Sequence, residues 1–238
     1  MVRRTKEDAL ATRTRLLDAA ELLFQAQGVS KTSLQQIAQR AGATRGAIYW
    51  HFKDKADLFN AMMERVTLPF EAATRAAGDT ECEPLAELER AMVAMLRRTE
   101  EDAQVRRVFD IAIHMVEYTG ETASLRQRHL AAREGCVADF ERALKHGAQR
   151  AGMRLPIPVR AAAQGLQAMF FGLLQNWLLE PGAFDLPTAG RRSLRIYLTG
   201  LGLRDNAGLP RVQTHRAEHP KTALSRCIST DRIRPSEG

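Results

Sequence analysis

The sequence predicts an all-α fold, and three observations carry that prediction. Apolar residues recur at helical spacing, most clearly as Leu16, Ala20, Leu23 and Phe24 with Leu17 and Ala19 beside them. Glycine and proline punctuate the periodic stretches at Gly28, Gly42, Gly78, Gly152, Pro156 and Pro181. No strand of credible length appears anywhere along the 238 residues.

The elements follow in order. A basic arm holds Arg3, Arg4 and Lys6; it is either a solvated terminus or a segment that touches DNA phosphates or a minor groove. The first helix spans about Ala9 to Gln27, and Gly28 supplies a left-handed C-cap. The second opens at Thr32 or Ser33, each with a glutamine three positions on, so either forms a capping box. Ile37, Ala38 and Ala41 give it a small apolar face. A tight Gly42-Ala43-Thr44 turn lets the next helix approach steeply.

That third helix, from Thr44 to about Trp50, is oddly made. Ile48 and Phe52 face inward, while Thr44, Arg45, Gly46, Ala47, Trp50 and His51 form a face of little use to a core. Glycine inside a helix costs about 1 kcal/mol relative to alanine. The cost makes sense if backbone at Gly46 must come close to something, with the DNA major groove one candidate. Asp54 caps a fourth helix, and Lys55 in its first turn opposes the helix dipole unless a phosphate lies there. This helix runs towards Phe70, with Pro69 as a kink or end, and Gly78 to Pro84 reads as a loop. Helices are then expected at Leu85–Glu101, Ala103–Tyr118, Ala123–Arg150, 158–180 and about Thr188–Leu203. Residues 204–238, with Pro210, Pro220 and Pro235 among polar and basic residues, read as a disordered basic tail.

Charge divides unevenly. Residues 1–55 hold 10 Lys/Arg against 5 Asp/Glu, 56–203 hold 18 against 19, and 204–238 hold 7 against 4. A basic head on a neutral body suits a phosphate-binding module joined to a domain with other business. No apolar run could span a bilayer and no secretory signal is present, so a cytoplasmic protein is expected. Cys82, Cys136 and Cys227 are odd in number and widely spaced, which disfavours disulfide and zinc frameworks. His51 has no metal-ligating partner at useful spacing, and neither metal nor cofactor is expected.

The segments LLDAAELLF and GVSKTSLQQIAQRAGATRGAIYWHFKDKADLF resemble the DNA-binding domain of the TetR family of transcriptional regulators. The opening VRRTKEDALATRTRLLDAA and the later WLLEP are similar to a subgroup, the AcrR- and TtgR-like repressors of multidrug efflux pumps. The resemblance implies nine helices in three parts. These are a helix-turn-helix DNA-binding domain over residues 1–53, a ligand-binding and dimerisation domain over 54–203, and the tail outside the family pattern. It implies a homodimer on double-stranded operator DNA, released by a small apolar or aromatic ligand. By resemblance Thr44, Arg45 and Gly46 enter the major groove, with Arg45 able to pair bidentately with guanine. Thr32, Ser33, Tyr49, Trp50, His51 and Lys55 look like phosphate and sugar contacts; core packing is the other reading of Tyr49, beside Ile48 and Phe52.

Inward stripes of the later helices offer Met92, Met95, Leu96, Phe109, Ile113, Phe140, Met169, Phe170 and Phe171 as a pocket lining, with Asp110 and His114 as polar groups to orient a ligand. The same stripes suit plain core. The 158–180 helix is apolar on more faces than one core needs, so with the last helix it is expected to build a four-helix dimer interface. No nucleophile-elbow, zincin, P-loop or dinucleotide motif argues for an enzyme. A non-specific DNA binder, and an activator or ligand-independent regulator, remain as alternatives.

Overall fold

A computed structural model describes residues 6–80, 82–117 and 123–204, and within them every regular element is a helix. Arg3 and Arg4, Tyr118, Cys227 and all of the expected tail beyond Arg204 lie outside the described residues. In chain order the helices are α1 Lys6–Gln27, α2 Leu34–Arg40, α3 Arg45–His51, α4 Lys55–Asp79 and α5 Pro84–Glu101. They continue as α6 Ala103–His114, α7 Ala123–Arg150, α8 Val159–Leu179 and α9 Leu186–Gly200.

Leu16, Ala20 and Phe24 of α1 are fully buried and share one apolar cluster with Ile37, Ile48 and Phe52. Burial of a phenylalanine of this kind contributes about 2 kcal/mol. Between the two candidate caps of α2, the chain uses Ser33. Its hydroxyl accepts from the Gln36 N–H at 3.2 Å, while the Gln36 side chain accepts from the Ser33 N–H at 2.8 Å. Gly28 at φ +83° and Gly42 at φ +62° adopt the left-handed conformation that closes α1 and α2.

Four expectations about helix ends change. Helix α1 begins at Lys6, earlier than Ala9. Helix α4 passes straight through Pro69, whose ring is exposed, and on to Asp79. Gly78 is therefore not a loop residue: a Cβ there would meet Asp139 O at 3.1 Å and Arg142 Cβ at 3.2 Å, so glycine permits close approach of α4 and α7. Helix α6 stops at His114 rather than continuing to Tyr118, because the Met115 carbonyl accepts from the Val29 N–H at 3.1 Å instead of serving another turn. Helix α9 starts at Leu186 instead of Thr188, since Asp185 accepts from the Thr188 N–H at 2.7 Å and Pro187 sits in the first turn.

In the later helices Leu88, Val108, Phe140, Leu144, Leu166, Trp177 and Leu198 form the centre of the core. Trp177 Nε1 donates to Phe184 O at 3.0 Å, and Tyr197 OH donates to Ala162 O at 2.7 Å, tying α9 to α8. The described residues belong to one compact unit. No helix among them is long and apolar enough to cross a membrane.

Candidate nucleic-acid interface and ligand cleft

Thr44 caps α3 by accepting from the Ala47 N–H at 3.2 Å, which fixes the direction in which the helix leaves the turn. Ala47 and Ile48 face the core, and the opposite face is left bare. Tyr49 is 51% exposed and Trp50 is 73% exposed. Core packing of Tyr49 is thereby ruled out. Exposed aromatics of that size in a helix are uncommon without a partner surface. The Arg45 guanidinium lies 5.9 Å from the Tyr49 ring, and His51 meets the Trp50 ring edge-on at 4.6 Å. Around Gly46 no protein atom stands within 4 Å of a built Cβ, so nothing inside the chain requires glycine there.

Beside this face an open depression of about 380 Å³ runs from Ser30 to Leu34 and on to Tyr49, Lys53 and Lys55. It joins the capped start of α2, where orphan N–H groups favour anions, to three lysines and a tyrosine. Lys31 and Lys53 are exposed here. Sequence reasoning missed both, although each is a basic residue in a connection flanking the two short helices.

The structure bears on two of the expected contacts. Thr32 is only 1% exposed, and its hydroxyl donates to Gly28 O at 2.7 Å while accepting from Gln27 Nε2 at 3.1 Å. It completes the end of α1, and that burial keeps it from a phosphate. Lys55 donates from Nζ to Ser30 O at 3.0 Å, so an internal carbonyl already offsets its adverse position at the start of α4.

The reader is joined to the rest of the chain at both ends of α6. Glu21 of α1 is fully buried and takes Arg65 of α4, Gln104 Nε2 at 3.2 Å and Arg107 Nη1 at 3.5 Å. Burial pushes its carboxyl above the ordinary carboxylate value, and the Arg65 bond only partly offsets that. At the other end the Val29 N–H reaches Met115 O, and Ser30 Oγ donates to Glu117 at 3.3 Å.

None of the apolar residues expected to line a pocket borders the open space between α4 and α7. Met92, Met95, Leu96, Phe109, Phe140 and Phe170 are buried in the filled core, and Ile113, Met169 and Phe171 pack half-buried against it. Leu96 is pressed against α9, where a Cβ on Gly190 would overlap its Cδ1. Phe170 stacks on Phe70 at 5.3 Å and meets Phe171 edge-on at 5.5 Å. The stripes point inward as read, and their side chains pack into the core cluster. Asp110 and His114 pair with each other, Nδ1 to Oδ1 at 2.8 Å, and Asp110 borders a separate depression of about 280 Å³ near Gln25 and Arg107.

The open space lies instead between α4 and α7. A small chamber of about 80 Å³, walled by Phe59, Met63, Ala112, Val116 and Leu125, adjoins an outer cleft of about 570 Å³ bordered by Phe70, Thr74 and Cys136. Burial, with Asp139 and Glu71 nearby, pushes the Cys136 thiol up to about 12, so it stays protonated and inert. Among the described residues no group of three His, Cys, Asp or Glu side chains could hold a metal ion.

A short capped helix with a bare aromatic and basic face, braced by two others and joined to a helical domain with its own cleft, defines a helix-turn-helix transcriptional regulator. The chain belongs to the tetR family of bacterial regulatory proteins, whose profile matches residues 16–62, and the MAATS-type transcriptional repressor C-terminal region matches residues 83–202. It is 38% identical over 206 residues to the HTH-type transcriptional regulator AcrR of Shigella flexneri, covering 83% of this chain and 93% of that one. Among solved structures it resembles NalD, the secondary repressor of the MexAB-OprM multidrug efflux pump in Pseudomonas aeruginosa. That likeness has a TM-score of 0.72 at 37% identity, over 82% of this chain and 98% of NalD. The SmeT–triclosan complex is similar with a TM-score of 0.74 at 33% identity, over 84% of this chain and 96% of SmeT.

Proposed function

We propose that this protein represses a multidrug efflux operon by binding its operator as a dimer, and that a small apolar or aromatic compound releases it. The observation that carries the reading is the outward face of α3, where Arg45, Gly46, Tyr49 and the 73%-exposed Trp50 project together. Residues 1–53 are the reader and 54–203 the ligand-binding and dimerisation part. Thr44, Arg45 and Gly46 enter the major groove. Ser33, Tyr49, Trp50, His51, Lys31 and Lys53 set register on phosphates and sugars.

Two copies pair through the outer faces of α8 and α9, which carry the exposed Leu179 and Ile196. The release signal starts in the α4–α7 cleft and reaches the reader through α4 and the two ends of α6. The likeness to NalD and AcrR supports the repressor role, and the SmeT–triclosan complex supports a small aromatic ligand. The protein acts in the cytoplasm and carries no catalytic activity.

Footprinting on the DNA upstream of the protein's own coding region, at physiological salt, tests the reading. A discrete protected site that is lost on adding triclosan or another small aromatic compound is expected. Uniform protection of any DNA, disappearing as salt is raised, would instead identify a non-specific binder.

A further inference from the structure

Away from the reader and the α4–α7 cleft, one surface concentrates positive charge without an answering carboxylate. A groove of about 440 Å³ runs between α5 and α9, with Arg90 and Arg97 on one bank and Arg191 and Arg195 on the other. The two helices lie close here because Gly190 of α9 has no side chain to push Leu96 of α5 away. Ala86, Val93 and Ala94 give the groove a low, small-residue floor. Tyr197, whose hydroxyl reaches α8, stands across α9 from Arg195, so the groove opens on the flank away from α8.

Several arginines of the body are matched. Arg65, Arg107, Arg128, Arg142 and Arg160 each hold a carboxylate, and residues 56–203 carry 18 Lys/Arg against 19 Asp/Glu. The groove departs from that balance. Its one carboxylate, Glu89, accepts from Arg204 at 2.6 Å and lies 4.0 Å from Arg191. Arg90 pairs with Glu87 at the edge. Arg97 and Arg195 are exposed and make no hydrogen bond or ion pair with any described residue; Asp185, at the cap of α9, acts on Arg97 only through space. Residues 205–238 add six Lys/Arg against four Asp/Glu, so they bring no surplus of negative charge.

Facing rows of guanidinium groups repel one another, and an anion seated between them turns that repulsion into attraction. Guanidinium pairs with phosphate bidentately and stays charged at any physiological pH. By the rise of a helix, Arg191 and Arg195 are about 6 Å apart along α9, and Arg90 and Arg97 about 10 Å apart along α5. A single phosphate cannot touch both ends of such a row, whereas a chain of two or three phosphoryl groups can. The volume falls within the range of small-molecule sites, about 300–1,000 Å³, which favours a compact anion over an acidic protein surface. We propose that the α5–α9 groove binds an oligophosphate, either a bare phosphate chain or the triphosphate of a nucleotide, with Arg97 and Arg195 as its principal anchors. The groove is a different place from the α4–α7 cleft, so this stands independently of the ligand-responsive reading.

The test uses the full-length protein without DNA, in metal-free buffer, and isothermal titration with inorganic tripolyphosphate. Affinity is expected to fall at least about tenfold in Arg97→Gln/Arg195→Gln. It is expected to stay within about twofold in Lys31→Gln/Lys53→Gln, which removes two charges from the reader instead. Undiminished operator binding by the groove variant confirms that it folds. Orthophosphate is expected to bind at least about tenfold more weakly than tripolyphosphate. ATP tells the two sources apart: tighter binding than tripolyphosphate assigns the groove to a nucleotide, and equal or weaker binding assigns it to the bare chain. No binding of tripolyphosphate, an unchanged affinity in the groove variant, or an equal loss in the reader variant overturns the inference. Tighter binding of hexaglutamate than of tripolyphosphate also overturns it, and would point to an acidic protein partner.

Discussion

Replacing Glu21 by glutamine probes the buried join between α1, α4 and α6. The carboxylate is fully enclosed, but its arginine partners are not: 23% of the Arg65 side chain and 28% of that of Arg107 remain exposed. Arg65 also keeps Asp18 at 2.8 Å. Glutamine retains the oxygen that accepts from Arg65 and strands neither guanidinium away from water. A charge-assisted bond contributes about 1.5–3 kcal/mol against about 1 kcal/mol for a neutral one. Since burial already disfavours the ionised form, glutamine is expected to cost about 1 kcal/mol at most at pH 7. Leucine leaves the Gln104 amide and one face of Arg65 without an acceptor, for a loss of about 2–3 kcal/mol.

The pH dependence has a definite sign. Because burial raises the folded pKa of Glu21 above its ordinary 4.5, its stabilising contribution is complete below that value and is lost as pH rises through the folded one. Glutamine does not titrate, so its stability relative to the native protein is expected to improve from about pH 4.5 upward. Urea unfolding at one fixed protein concentration reads both effects, and with a slope of about 2–3 kcal/mol/M the glutamine midpoint moves by no more than about 0.5 M. A glutamine variant as unstable as the leucine one, with a gap independent of pH, would refute the reasoning.

Three further outcomes are expected. Arg45→Ala lowers operator affinity by about 1–3 kcal/mol and relaxes specificity at one base pair, read by anisotropy on single-substitution operators; equal losses on operator and random DNA argue against groove readout. Thr32→Val strips a buried hydroxyl from Gly28 O and Gln27, so it lowers unfolding stability by about 1–2 kcal/mol, while the salt slope of DNA binding stays the same. Gly190→Ala forces Leu96 from its place against α9 and costs about 1–3 kcal/mol, visible as a lower thermal midpoint.

The reader was legible because its signals are local. Ser33 with Gln36, Thr44 before the third helix and Gly28 after the first are caps whose meaning does not depend on distant chain. Where a distant segment decides, the sequence misleads. Gly78 resembles a break until Asp139 and Arg142 are brought against it, and the end of α6 is set by Val29, far away in the chain. Thr32 and Ser33 were equal candidates for the same cap, and three-dimensional packing decided which was buried.

The cleft was illegible for a related reason. Periodicity reports which side chains face inward, not whether space remains once they meet. Met92, Phe140 and Phe170 fill theirs, whereas Glu71 and His129, polar residues that break the apolar pattern of α4 and α7, border the space that stays open. In this fold the same apolar stripes supply both the filled core and, at Phe59, Met63 and Leu125, the wall of the chamber, so the stripe alone does not tell the two apart.

Gly46 has a bearing on how this protein would respond to selection. With no neighbour within 4 Å, an added methyl group would meet nothing in the chain, and alanine is favoured over glycine in a helix by up to about 1 kcal/mol. A library sorted for heat resistance alone would therefore enrich alanine at this position. A library sorted for repression would discard the same variant if DNA lies against that backbone. Stability and regulation thus compete at a single hydrogen atom, and sequencing survivors under each pressure separately would expose the conflict without any structure of the complex.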